Sequence, residues 1–265
     1  MMYGIDISNW QGGLDVRALP SIVKFVICKV SEGCSFKDWT AQKFIHDAAE
    51  KKLKWGFYHF AQGQNPEMEA EWFVECAREY FNHGIPILDY EVNAYYGGMS
   101  ESQWCEAFMK RVYELTGCWC MFYTYAAKKY VFEDSWITER CPLWLAGYPG
   151  TITKFSHMEP QYTAYPWDYI SIWQFASSLQ LEGIPYSLDG DIAYFDEEDW
   201  EYYFGGEADM ATPQEIAEHV WGYNYENTIR GGRTIYDEIA AIYDMVLELI
   251  EEIDDLKDRI ENGER

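Results

Sequence analysis

Residues 55–91 read WGFYHFAQGQNPEMEAEWFVECAREYFNHGIPILDYE, and their order decides the fold. Trp55–Phe60 and Ile85–Tyr90 are strand-like apolar runs. Between them Asn65 stands as a helix cap and Pro66 at the first helical position, so the pattern predicts a helix over Pro66–Phe81. Strand, helix, strand is the unit of a parallel sheet.

The same alternation continues outward. Further strand-like runs stand at Tyr3–Ile7, Val23–Val30, Cys118–Thr124, Leu143–Ala146, Ile170–Gln174 and Ile192–Phe195, which makes eight in all. Thr40–Leu53 places Ala41, Phe44, Ile45, Ala48 and Leu53 on one helical stripe. Ser100 and Gln103 form a capping box ahead of Trp104, Phe108, Val112 and Leu115. Alternation predicts an α/β fold, and eight parallel strands predict closure into a (β/α)8-like barrel. Gly147–Tyr169 and Ala176–Gly190 carry glycine, proline and serine in place of helical periodicity, so good helices are expected only around the first half.

The pattern changes near residue 203. The chain divides into a barrel over 1–203, a linker over 204–212 and a C-terminal α-helical module over 213–265. In the module, Thr212 and Pro213 start a short helix, and Gly231-Gly232 separates it from a long one. That long helix carries Ile239, Val246, Ile253 and Ile260 at heptad position a, with Ile235, Ile242, Leu249 and Leu256 at d. Four heptads predict a homo-oligomer; the alternative is a helix laid on its own chain.

Composition narrows the function. The 265 residues hold 20 Lys+Arg against 45 Asp+Glu, a net charge of −25 that repels phosphates and anionic lipid heads. Nucleic acid and membrane surfaces are therefore not expected partners, and no apolar run reaches the roughly 20 residues of a membrane span. MMYGIDISNW offers no basic region followed by an apolar stretch, so no signal peptide is read and synthesis in the cytoplasm is expected. Aromatic residues make up 18% of the chain, which fits an aromatic core or a surface that stacks on sugars. The seven cysteines show no paired CxxC spacing and read as reduced thiols. The five histidines are scattered, so no metal or other cofactor is implied.

In a parallel barrel the chemistry lies where strands end. The first run ends near Asp6, the second with Lys29 and Glu32, the third at Tyr58-His59-Phe60, and the fourth with Asp89-Tyr90-Glu91. Later runs offer Tyr123, Trp144, Tyr148 and Gln174, and the last brings Asp189 and Asp191 at its start. Acids and aromatics at one rim suit a carbohydrate-cleaving site. Asp89 and Glu91, at i and i+2 of an extended segment, point the same way, and neighbouring carboxyls raise one pKa so that one can act as an acid. The plainer alternative is an exposed acidic strand end. Asp6 is also readable as a turn aspartate, His59 as a hydrogen-bonded core or rim histidine, and Asp189 as a rival to Asp191.

Eight segments in one order carry a resemblance: GIDISNWQG (4–12), FVICKVSEG (25–33), WGFYHFA (55–61), PILDYE (86–91), MFYTYAA (121–127), LWLAGY (143–148), IWQFAS (172–177) and LDGDIAYF (188–195). Over about residues 3–200 the chain resembles the glycoside hydrolase family 25 lysozymes, the muramidases of phage endolysins and bacterial autolysins. The resemblance implies an irregular, partly flattened barrel and four site acids at Asp6, Asp89, Glu91 and Asp191. It departs at Ala193, where the family usually has Asn. It further implies cleavage of the β-1,4 bond between N-acetylmuramic acid and N-acetylglucosamine in bacterial peptidoglycan. Glu91 would be the acid and Asp89 the group that orients the substrate's 2-acetamido arm; Asp6 and Asp191 would support them. An inverting route with Asp89 as base stays open. Lys29, Glu32, Tyr58, His59, Tyr123, Trp144, Tyr148 and Gln174 are the expected substrate-binding residues. The family's phage members also suggest release to the wall through a holin-type pore and a tail that targets the wall. Two rivals remain: a chitinase-like glycosidase, whose D-x-D-x-E pattern Ile87 breaks, and a catalytically silent glycan-binding module.

Overall fold

The computed structural model describes residues 1–202; the expected linker, helical module and heptads lie outside the described residues. The strands are β1 (Met2–Ile7), β2 (Val23–Glu32), β3 (Phe36–Lys37), β4 (Lys54–Phe60), β5 (Ile85–Asp89), β6 (Met121–Tyr125), β7 (Leu143–Ala146), β8 (Ile172–Leu179) and β9 (Leu188–Ala193). The helices are α1 (Ala41–Glu50), α2 (Pro66–Ala77), α3 (Glu101–Thr116), α4 (Ile137–Arg140) and α5 (Glu197–Tyr202). Sheet order is β1-β9-β8-β7-β6-β5-β4-β2-β3, and β1 also pairs with β2, so the sheet closes on itself and β3 lies outside the ring.

Local chemistry sets the helix ends. Asn65 Oδ1 accepts from the Glu67 and Met68 amides at 3.0 and 3.1 Å, and Pro66 occupies a position that needs no donor. Ser100 and Gln103 form the expected capping box, and α3 stops at Gly117, whose φ of 73° favours glycine. α1 starts without a side-chain cap, because the Thr40 hydroxyl donates to Asp38 instead, at 2.6 Å.

Strand residues alternate between two apolar layers. Phe25, Ile27, Tyr58, Ile85, Ile87, Met121, Tyr123, Trp144 and Ile172 fill the barrel interior. Val26, Cys28, Phe57, Leu88, Phe122, Leu145 and Trp173 face outward into a second core shared with the helices. Gly4 is part of the inner fit: a Cβ there would lie 2.3 Å from the Phe25 ring. Much of the aromatic content serves this packing, in ring pairs such as Phe57–Phe73, Tyr90–Trp104 and Phe122–Trp167. All seven cysteines are free. No described helix is long and apolar enough to cross a membrane.

One expectation needs correction. The last strand is not parallel: β9 runs antiparallel to both β8 and β1. Only residues 180–187 connect β8 to β9, too few for a crossover helix, so the chain must turn back. The reversal brings the start of β9 to the rim where β1 ends, and Asp189 stands directly opposite Asp6. Segments 147–171 and 180–187 contain no helix, and β3 is an added hairpin arm on β2.

Candidate active site

The inward-facing residue one step beyond the apolar fill is polar on most strands. β1 gives Asp6, β2 Lys29, β5 Asp89, β8 Gln174 and β9 Asp191, all buried. Asp6, Gln174 and Asp191 are neighbours because β9 lies between β1 and β8: Asp191 pairs with Gly4 on one side and Gln174 on the other. Gln174 links three strands. Its Nε2 donates to Asp6 Oδ2 at 2.8 Å, and its Oε1 accepts from Tyr123 Oη at 3.0 Å and Tyr148 Oη at 2.6 Å. Trp144 Nε1 donates to Asp191 Oδ1 at 2.9 Å.

Burial dominates the electrostatics. Removal from water, then the charges of Asp191 and Asp189, raises Asp6 well above the usual carboxylate range. Burial raises Asp191 to about 8, against the Trp144 hydrogen bond that lowers it. Asp189 rises to about 6 through burial and the charge of Glu91. Burial and the charge of Glu91 raise Asp89 strongly, with Lys29 opposing. Glu91, open to solvent at the mouth, is raised by surrounding protein and pulled back by hydrogen bonds from Tyr123 and Asp89. Asp89 Oδ1 and Asp191 Oδ2 are buried and meet no protein donor. Asp191, raised to about 8, can hold a proton at neutral pH, and Asp89 Oδ1 has an acceptor to spare for a ligand.

The model of glycosyl hydrolases family 25 matches residues 5–184. The chain belongs to that family. The matched region contains Asp6, Asp89 and Glu91 and stops short of Asp191, whose place beside Asp6 is fixed by the strand pairing of β9. An autolytic lysozyme of Clostridium acetobutylicum is 41% identical over 73 residues, 27% of this chain and 22% of that protein. Lysozyme M1 of Streptomyces globisporus is 25% identical over 200 residues, 70% of this chain and 65% of that protein. The chain thus spans less than two thirds of either relative. Among solved structures, a family 25 lysozyme of Aspergillus fumigatus superposes with a TM-score of 0.63 at 25% identity, covering 77% of this chain and 99% of that one.

Within this family 25 barrel the expected residues fall into four groups. Asp6, Asp89, Glu91, Tyr123, Tyr148, Gln174 and Asp191 converge on the mouth. Tyr148, 45% exposed, is placed to touch a ligand, whereas Trp144 and Tyr58 are buried and act from beneath. Lys29 pairs with Glu32, which also accepts from Gln62 Nε2 at 2.6 Å, and the Lys29 ammonium lies 4.8 Å from the Phe60 ring centre. His59 is the correction. It was expected to bind substrate, but its side chain faces the helices and is fully buried, 5.1 Å from the Phe108 ring. Its Nδ1 meets Ser31 Oγ at 2.8 Å and its Nε2 meets Glu69 Oε2 at 3.0 Å. Burial lowers its pKa despite Glu69, so the ring stays neutral and structural. Tyr58 and His59 are adjacent, so only one can face inward.

Other residues at the site escaped the sequence reading. Glu69 accepts from the Gln62 and Gln64 amides at 3.0 and 2.6 Å and so pins the loop after β4. Lys128 bridges Glu101 and donates to Asn93 Oδ1 at 2.7 Å, while Tyr90 Oη donates to Glu101 and accepts from the Ala94 amide. These contacts clamp residues 90–94, the segment that carries Glu91. Their residue types are ordinary for a surface, so nothing in the sequence distinguished them. Among the described residues, His46, Asp47 and Glu50 on α1 form one group of metal-ligating type, and Lys43 and Arg17 already pair with Asp47 there.

The raised carboxyls fix the direction of a pH effect. Folded Asp191 keeps its proton to about 8, whereas in the unfolded chain it ionises near 3.8. The folded state therefore binds more protons between those values, and stability falls as pH rises through that window, by on the order of a few kcal/mol from this group. Asp6 and Asp89 act in the same direction. The melting temperature of the wild type should fall from about pH 5 to about pH 8. Asp191→Asn buries no charge and should melt above wild type at the alkaline end, with the difference shrinking at the acid end. Identical melting profiles for the two proteins would contradict the assignment.

Proposed function

We propose that the chain is a peptidoglycan hydrolase that cleaves the β-1,4 bond between N-acetylmuramic acid and N-acetylglucosamine. The observation that carries this is the hydrogen-bonded Asp89–Glu91 pair, both carboxyls raised, at the mouth of a family 25 barrel. The names of the relatives, lysozymes from Clostridium and Streptomyces, point to the same reaction.

Before substrate binds, the more deeply buried Asp89 competes for the proton the pair shares. When an acetamido N–H of the substrate donates to Asp89, the charged form of Asp89 is favoured and the proton stays on Glu91. Glu91 then passes it to the glycosidic oxygen as that bond breaks. The acetamido carbonyl oxygen, polarised through Asp89, bonds to the anomeric carbon in place of a protein nucleophile. Water next attacks the anomeric carbon, its proton returns to Glu91, and the ring intermediate reopens with configuration retained. A hydrogen-bonded carboxyl pair favours this route over inversion, which needs roughly 6.5–9.5 Å between carboxyls for a water. Asp6 and Asp191 keep the Gln174 network in place beneath.

The test is clearing of a suspension of purified cell walls, with identification of the sugar at each new reducing end. New N-acetylmuramic acid ends, formed equally in EDTA, support the reading. Cleavage of chitin oligomers instead would favour the chitinase-like alternative, and wall binding without new ends the silent module. An endolysin role rests on the collinear segments and the appended tail.

We further propose, from the heptads alone, that residues 213–265 assemble the chain into a homo-oligomer. Ile253→Asp should lower the mass measured by light scattering. A full chain already monomeric at tens of micromolar would remove this part of the proposal.

A further inference from the structure

Trp10 is 82% exposed and Trp39 is 69% exposed, while the other tryptophans among the described residues are buried or half-buried. Two large apolar side chains left in water at one end of the barrel form the kind of exposed patch that marks a binding surface. The two indoles stand on the segments that follow the adjacent strands β1 and β2–β3. Buried Asp38 ties those segments together: Oδ2 accepts from the Asn9 amide at 2.9 Å, and Oδ1 accepts from the Thr40 amide at 2.9 Å. The turn around Trp10 is held by its own capping box, with Ser8 N donating to Gln11 Oε1 at 3.0 Å. The Trp39 ring lies directly on Gly12, where a Cβ would come within 2.5 Å of the indole. Both rings are thus preorganised on fixed backbone.

Both indoles stand beyond the ends of β1 and β2, the end of the barrel that carries Asp6 and Lys29. Asp6 precedes Trp10 by four residues, and half-exposed Phe36, opposite Glu32 on the β2–β3 arm, lies 5.5 Å from the Lys29 ammonium. The apolar faces of pyranose rings need only a flat, fixed, apolar surface, which two indoles on fixed backbone supply. We propose that Trp10 and Trp39 form an outlying glycan subsite that stacks sugar units of the same strand beyond the bond being cleaved. This inference rests on the proposed glycan-cleaving function and adds a dependence on chain length.

The test uses the full chain with Trp10→Ala, Trp39→Ala, the double variant, and Gly12→Ala, which displaces the Trp39 ring without removing it. Peptide-free glycan strands of graded length serve as substrates. The double variant should lose roughly 10- to 100-fold in kcat/KM on long strands, and progressively less as strands shorten toward the scissile disaccharide pair. Gly12→Ala should fall between wild type and Trp39→Ala. Equal loss at every length, or no loss at any, would overturn the subsite. Retention on insoluble peptidoglycan is measured in parallel in a Glu91→Gln background. Weaker retention with both indoles removed supports the subsite, and unchanged retention overturns it. Should wild type cleave no strand of any length, the catalytic reading fails, and the retention measurement still decides the subsite by itself.

Discussion

Glu91→Gln is expected to lower wall-cleaving turnover about 100- to 10,000-fold, the usual contribution of a positioned general acid. The substitution keeps the side chain's length and its capacity to accept a hydrogen bond. It has no transferable proton, so the leaving sugar must depart as an alkoxide. Glu91 lies open at the mouth, outside both apolar cores, so the variant should keep the wild-type fold and melting transition. A folded Glu91→Gln protein that clears walls at near wild-type rate would show that the acid is elsewhere, with Asp189, across the mouth and raised to about 6, the next candidate.

Asp89→Asn is the second large effect, expected at about 100-fold or more in kcat with KM changed little. On the proposed route the carboxylate is needed most when positive charge builds on the acetamido arm, late on the path to the transition state, and much less when substrate first binds. An asparagine cannot supply that charge, and its amide would donate where the acetamido N–H must also donate. If Asp89→Asn raises KM and leaves kcat intact, Asp89 serves binding and the substrate-assisted route loses its support. Asp6→Asn should be milder, because the asparagine oxygen can still accept from Gln174 Nε2 and Asp6 touches the network rather than the reacting atoms.

The strand that leads to the candidate acids was the most legible part of the chain. Ile85–Leu88 followed by Asp89-Tyr90-Glu91 gives the strand, its end, and two carboxyls on one side, because side-chain parity along a strand is a local property. Helix starts at Asn65-Pro66 and Ser100-x-x-Gln103 were equally local, since a cap needs only residues within one turn.

Parity alone did not tell which side of a strand faces the substrate. In a barrel covered by helices both faces are apolar, so WGFYHFA gives no sign that Tyr58 looks inward and His59 outward; the helix-side partners Glu69, Phe73 and Phe108 decide it. Nor did the sequence give the reversed last strand. That reversal follows from a connection too short for a crossover, and it sets Asp189 opposite Asp6. The Trp144–Asp191 and Asp6–Gln174 contacts join residues 47 and 168 positions apart. Local pattern was enough for the central strands, the capped helices and the Asp89–Glu91 pair, because those depend on neighbours within a turn or a pleat; it missed the short β3 and set the last strand too late in the chain. Closure of the sheet decided which acids meet, how far burial raises them and which indoles stay in water, because proximity across strands and exclusion of solvent exist only once the ring is shut.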